Sequence, residues 1–276
     1  MRFAICNELF GQTEFHEICH MSADLGYQGI EIAPFTLADT VHDLLDGDRR
    51  AIRRMAESHG LEVVGLHWLL VKPEGLHLTT PDEALRARTR AYLLDLVQFC
   101  ADLGGKIMVC GSPRQRTVLD NYQASWQRAV TVFREVADAA GERGITFCIE
   151  PLSPTETDFL TCAEDALKMV KAVDHPSFQM ILDIKAMAGG ERDPLPAVVA
   201  RAKDHVRHIH ANDPNLLGPG MGGFDHGPVG DALRGIGYEG WVSVEVFRFE
   251  LEGYEIARRS LEGLERWYGP QEAAHE

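Results

Sequence analysis

The segment GITFCIEPLSPTETDFL, Gly144 to Leu160, carries an apolar run that ends abruptly on a carboxylate, Glu150, and a proline. The pattern recurs downstream: Asp183 closes MILD, His210 closes the apolar part of HIHAND, and Glu245 stands in VSVEVF. Taken singly, a carboxylate after a strand is more often a helix cap or a surface ion pair, and a histidine in an apolar run is more often a hydrogen-bonded core residue. Taken together, Glu150, Asp183, His210 and Glu245 end four successive runs, with no lysine or arginine on the same ends. If those ends converge, three carboxylates repel strongly unless a cation sits among them. Three oxygen ligands and one imidazole suit a hard or borderline divalent ion. Mn²⁺ is the first expectation and Mg²⁺, Co²⁺ or Zn²⁺ the alternatives, structural zinc fitting less well.

Convergence requires elements that bring those ends to one place. Short β-branched or apolar runs stand at Arg2–Cys6, Gly29–Ala33, Glu62–His67, Lys106–Cys110, Ile145–Glu150, Phe178–Asp183, Val206–His210 and Trp241–Val246, with stretches of helical length between them. Thr80-Pro-Asp-Glu83 and Thr161-Cys-Ala-Glu164 read as capping boxes opening two helices, and Gly60, Gly104 and Gly144 as stops before the next strand. Strands alternating with helices, and no long Pro/Gly/Ser linker, predict one (β/α)8 TIM barrel spanning 1–276. A doubly wound open sheet is the alternative, but AICNELFGQTEF lacks the GxGxxG turn expected after its first strand. In a barrel the C-terminal strand ends form the mouth, and polar residues crowd them here: Asn7, Glu8, Glu31, His67 and Trp68 join the four above.

Composition narrows the function. The chain of 276 residues is 45% hydrophobic and 25% charged, ordinary for a globular protein, and its net charge of -15 argues against binding a phosphate backbone. Met1 to Phe10 has no signal-peptide pattern and no run approaches a membrane span, so a soluble cytoplasmic protein without nucleic-acid or membrane partners is expected. The six cysteines form no CxxC pair and lie in apolar runs, which predicts buried free thiols.

The tetrad Glu150, Asp183, His210 and Glu245, one on each of the last four strands, resembles that of the xylose isomerase-like TIM barrels, a superfamily of sugar isomerases and epimerases that includes ketose 3-epimerases. The resemblance runs from AICNELF to VSVEVF. It implies a divalent metal held by the tetrad, with Glu150 and Glu245 as catalytic carboxylates on opposite faces of a bound sugar. A hydrogen next to a carbonyl becomes removable when a bound ion stabilises the enediolate. Return of the proton to the neighbouring carbon is isomerisation, and return from the opposite face is epimerisation. Loss of a neighbouring hydroxyl instead would make a lyase acting on a keto-sugar or keto-inositol.

The resemblance further implies sugar contacts from His67, Trp68 and Glu156, and a homo-oligomer. The glycine-rich run from His210 to Val229 is long enough to cover a substrate, with Asn212, Asp213 and His226 as its contacts. Lys185, two residues past Asp183 on an extended chain, is expected to face the same site. Ketose 3-epimerases carry a histidine and an arginine on substrate oxygens where this chain has Ala186 and Leu216, so a modified or keto-glycosidic sugar is expected to serve better than a simple ketohexose. An apurinic-site nuclease on the same barrel is disfavoured by the charge, by Gly111 after strand four and by Ala186. A non-catalytic sugar-binding barrel would hold no metal tightly.

Overall fold

The computed structural model describes residues 1–270. Eight parallel strands close a barrel in chain order. They are β1 (Arg2–Cys6), β2 (Gly29–Ile32), β3 (Glu62–Leu66), β4 (Ile107–Cys110), β5 (Thr146–Ile149), β6 (Phe178–Asp183), β7 (Val206–Ala211) and β8 (Trp241–Val244). β8 pairs back onto β1, Val242 opposite Phe3. Closure leaves no topological switch point, so the doubly wound alternative is set aside. The helices are α1 (Phe15–Leu25), α2 (Asp46–Ser58), α3 (Glu83–Leu103), α4 (Tyr122–Gly141), α5 (Ala163–Val173), α6 (Ile184–Gly190), α7 (Leu195–Ala202), α8 (Gly227–Gly235) and α9 (Gly253–Tyr268). Among the described residues no helix is long and apolar enough to cross a membrane.

Strand alternation sorts the side chains. Ile5, Ile30, Phe147, Ile149, Leu182, Ile209 and Val242 join the large core shared with the helices. Ala4, Val64 and Trp241 form a separate apolar cluster, and Val109, Cys148 and Ile181 another, both packed against Ile107. These two clusters are the apolar floor of the barrel interior. Two residues further along the same faces come Glu150 after Cys148, Asp183 after Ile181, His210 after His208 and Glu245 after Ser243, so the tetrad rises directly above that floor.

The capping differs in detail from the expected boxes. α3 is capped by Asp82, whose carboxylate accepts from the Leu85 N–H at 3.0 Å, while Thr80 Oγ1 accepts from the Asp82 N–H. α5 starts after Cys162 with no side-chain cap of its own, and the Ala163 N–H donates instead to Glu191 at 2.6 Å. The helix stops hold: Gly104 terminates α3 at φ 85°, a left-handed conformation that costs glycine least. Cys6, Cys19, Cys100, Cys110 and Cys148 are buried free thiols, Cys162 is partly exposed, and burial pushes the Cys110 thiol up to about 12.

Candidate metal centre and substrate cleft

The structure brings Glu150, Asp183, His210 and Glu245 together as one buried cluster whose ligand atoms all lie within 4.8 Å of one another. His210 Nδ1 is 3.0 Å from Glu245 Oε2 and 3.6 Å from Glu150 Oε1. His210 Nδ1 and Glu245 Oε2 are buried and meet each other only as a charge contact, without the alignment of a hydrogen bond, and neither has another partner. Buried polar atoms without partners are costly, and these two face each other across the point where the cluster converges. The donor set therefore fits a divalent ion, with His210 ligating through Nδ1.

A second layer of contacts aims the ligands. His210 Nε2 lies 3.2 Å from Glu31 Oε1, and Glu31 Oε2 lies 2.7 Å from His208 Nε2, so a buried carboxylate orients the imidazole from behind. Burial would raise Glu31, but the two histidines prevail and hold it well below the usual carboxylate range. Asp183 accepts from the Ala186 N–H and from Asn212 Nδ2, each at 2.6 Å. Burial, reinforced by Glu150 and Glu245 against Lys185, pushes its carboxyl up to about 7. His67 bridges Glu245 at 3.2 Å and Glu8 at 2.9 Å. Burial works against its charge, yet the two carboxylates raise it to about 10. Glu245 is also opposed by burial, but His210 and His67 hold it well below the ordinary range, as an anion.

Gly111, directly after β4, makes room for Glu150. A Cβ there would lie 1.6 Å from Glu150 Oε2. From the other side Arg116, 1% exposed, donates through Nη1 to the carbonyl oxygens of Glu150 at 2.7 Å and Cys110 at 3.2 Å. It pins the backbone from which Glu150 projects.

A small cleft of about 80 Å³ opens over the cluster, lined by His67, Trp68, Gly111, Glu150, Glu156, Lys185, Glu245 and Phe247 among others. Lys185 donates to Glu156 Oε1 at 2.6 Å, and its Nζ lies 3.7 Å from the centre of the Phe247 ring. Burial works against the Lys185 charge, but Asp183, Glu156 and Glu245 raise it above ordinary lysine. The expectation of an extended chain at Lys185 is corrected: Asp183 is the N-cap of α6, and Lys185 enters the cleft from the first turn of that helix. A basic side chain therefore does stand beside the carboxylates, although none lies on the strands themselves.

Three expected sugar contacts sit elsewhere. Asn212 is fully buried, with Nδ2 on Asp183 and Oδ1 accepting from the Lys185 N–H at 2.9 Å. Asp213 and His226 are also fully buried and do not line the cleft. Asp213 accepts from the N–H groups of Gly220 and Gly222 and pairs with His226 Nε2 at 2.7 Å, while His226 Nδ1 meets the Tyr268 hydroxyl at 2.6 Å. The glycine-rich segment thus folds around the Asp213 carboxylate and is tied to α9. Its Leu216 carbonyl accepts from the Phe247 N–H at 2.9 Å, supporting one wall of the cleft. Replacing His226 by alanine leaves Asp213 buried with one partner fewer and is expected to lower stability by about 1–3 kcal/mol in chemical denaturation. An unchanged midpoint would contradict that role.

Two polar residues that sequence reasoning passed over, His208 and Arg116, prove structurally central. The i, i+2 spacing of HIH was the available signal for His208, since it places both imidazoles on one strand face. No local signal distinguishes Arg116.

The chain belongs to the xylose isomerase-like TIM barrel family, whose sequence profile matches residues 19–267. It is similar to a probable ketose 3-epimerase of Synechocystis sp., 30% identical over 228 residues, covering 82% of this chain and 76% of the relative. Similarity extends to a fructoselysine 3-epimerase of Escherichia coli O157:H7, 26% identical over 262 residues, covering 87% of this chain and 89% of that one. The crystal structure of D-psicose 3-epimerase with D-tagatose from Clostridium cellulolyticum H10 superposes with a TM-score of 0.86 at 23% identity, over 97% of this chain and 99% of that chain. Like these named relatives, the chain is an enzyme.

Proposed function

We propose that this enzyme is a divalent-metal-dependent sugar epimerase acting on a carbon next to a carbonyl, with Glu150 and Glu245 as the proton-transferring pair. The observation that carries the reading is the buried tetrad, in which His210 Nδ1 and Glu245 Oε2 lack well-aligned hydrogen bonds while Asp183, His210 and Glu245 are each held from behind by a second contact. Kinship with named 3-epimerases favours epimerisation over isomerisation or loss of water. A bound Mn²⁺ would supply Lewis acidity that lowers the energy of the enediolate.

The chain's own groups do the rest. Glu245, kept anionic by His210 and His67, accepts the proton from one face of the carbon. Glu150, from the end of β5, returns a proton drawn from solvent to the other face, and Glu245 releases the proton it took to solvent, which resets the pair. Lys185 and Glu156, paired across the cleft, offer a cation and a carboxylate to substrate hydroxyls. They take over part of the grip that Ala186 and Leu216 do not provide. Trp68 and Phe247 line the cleft and offer apolar ring surface to sugar C–H groups.

Chelation is expected to abolish turnover of a keto-sugar panel, and Mn²⁺ to restore it. Undiminished turnover after the metal is shown to be gone overturns the reading. The pH dependence of loading has a definite sign. Without metal, Asp183 holds its proton up to about pH 7, and His210 is raised well above the imidazole range: burial opposes this, but Glu245 and Glu31 prevail. Both protons must leave on loading, so metal affinity rises with pH. The thermal upshift given by millimolar Mn²⁺ is expected to be larger at pH 8 than at pH 6, and an equal or reversed shift would count against these ligands.

A further inference from the structure

A second and much larger cavity, about 820 Å³, adjoins the cleft over the metal cluster. The two share Trp68 and Phe247 as walls. They are also linked through Glu8, which lines the large cavity and pairs with His67 of the cleft at 2.9 Å. Phe15, Phe35, Leu37 and Phe249 are among the apolar walls, while Gln12, Thr13 and Thr36 add uncharged polar groups. Phe35 meets Trp68 edge-on at 6.4 Å, and Trp68 meets Phe247 at 6.0 Å, so three rings run in a row from the large cavity to the rim of the cleft.

Trp68 stands at that boundary with φ 51°, the left-handed region that a bulky residue rarely occupies. Strain of this kind persists where the surroundings impose it, and here it holds an indole between two cavities. The cleft alone is small for a whole sugar derivative, whereas the large cavity lies in the size range of ligand sites. No lysine or arginine lines it, and its charged residues are Glu8 and Glu14. A phosphate or carboxylate would be repelled there, and an uncharged ring would find the contacts that aromatic side chains favour.

We propose that this cavity is a subsite for an uncharged aromatic substituent carried by the sugar, so that the preferred substrate class is an aryl-substituted keto-sugar. The proposal rests on the epimerase reading for its orientation, since the reacting carbon is placed at the metal and the substituent passes over Trp68 and Phe247.

Calorimetric titration of the Mn²⁺-loaded protein with the 3-keto forms of phenyl glucoside and methyl glucoside tests it without requiring turnover. The phenyl compound is expected to bind about tenfold tighter, the scale of one well-placed aromatic contact. Phe249→Ala, at an exposed position, and Phe35→Ala are each expected to bring that ratio toward one. Equal affinities in the parent protein, absence of binding by both compounds, or a ratio unchanged in both variants overturns the subsite. Conversion of a dimer to a monomer by Phe249→Ala with both affinities unchanged would assign the face to a second copy of the chain and also overturn it. A retained phenyl preference, with no exchange or inversion of any ketose, keto-inositol or 3-keto-glycoside by the metal-loaded protein, would leave the subsite standing and sink the epimerase reading instead.

Discussion

Replacing Glu150 or Glu245 by glutamine is expected to lower kcat by about 10³-fold, within the range that a positioned acid or base contributes. Glutamine keeps the size and removes the charge, so folding should survive. The two variants should differ in metal retention. Glu245 receives His67 on one oxygen and faces His210 with the other, so its loss unbalances both imidazoles. Glu150 approaches the cluster across the space that Gly111 leaves free. Circular dichroism, elemental analysis and turnover on the same preparations separate the effects. Activity within tenfold of the parent in either variant would remove that carboxylate from the chemistry. Unfolding of both in the presence of metal would mark the cluster as a structural polar core.

The second large effect is expected at a residue with no side chain. In Gly111→Ala the new methyl carbon would sit 1.6 Å from Glu150 Oε2 and 2.9 Å from its Cδ, so the carboxylate must swing away. The backbone cannot give way easily, because Arg116 ties the Glu150 carbonyl to that of Cys110. Metal affinity is expected to fall by about 10- to 100-fold, as when a ligand's supporting contacts are removed, with turnover falling at least in proportion. The barrel should persist, since β4 and β5 pair through Cys110 and Ile149 just below. An alanine variant that binds Mn²⁺ like the parent would contradict the position assigned to Glu150.

Much of this centre was legible in the sequence because strands declare their ends. Runs such as FCIE and MILD are apolar until the residue that reaches the mouth, and period-two alternation then puts Glu150 and Asp183 on the face of Cys148 and Ile181. What the sequence hid were tertiary choices. Thr80 resembles a cap, yet the helix starts at Glu83, so Asp82 takes the role and its carboxylate accepts from the Leu85 N–H. Lys185 reaches the cleft for a different reason than its spacing suggested, since Asp183 caps a helix that starts at Ile184. The glycine-rich stretch after His210 has a lid's composition, but Asp213 gathers its amides and Tyr268, distant in sequence, locks His226. His208 and Glu31 meet across the barrel interior, and nothing local in either run foretells the other.

Proton transfer by Glu150 and Glu245 is tested most directly by solvent exchange. The Mn²⁺-loaded enzyme is incubated in deuterated water with ketoses, keto-inositols and 3-keto-glycosides, and the products are read by NMR. One deuterium is expected at the carbon next to the carbonyl, with configuration at that carbon inverted. Loss of water without inversion would contradict the epimerase and favour a lyase on the same cluster. A demonstrably metal-loaded protein that exchanges, inverts and dehydrates none of these sugars would contradict the catalytic assignment of Glu150 and Glu245 altogether.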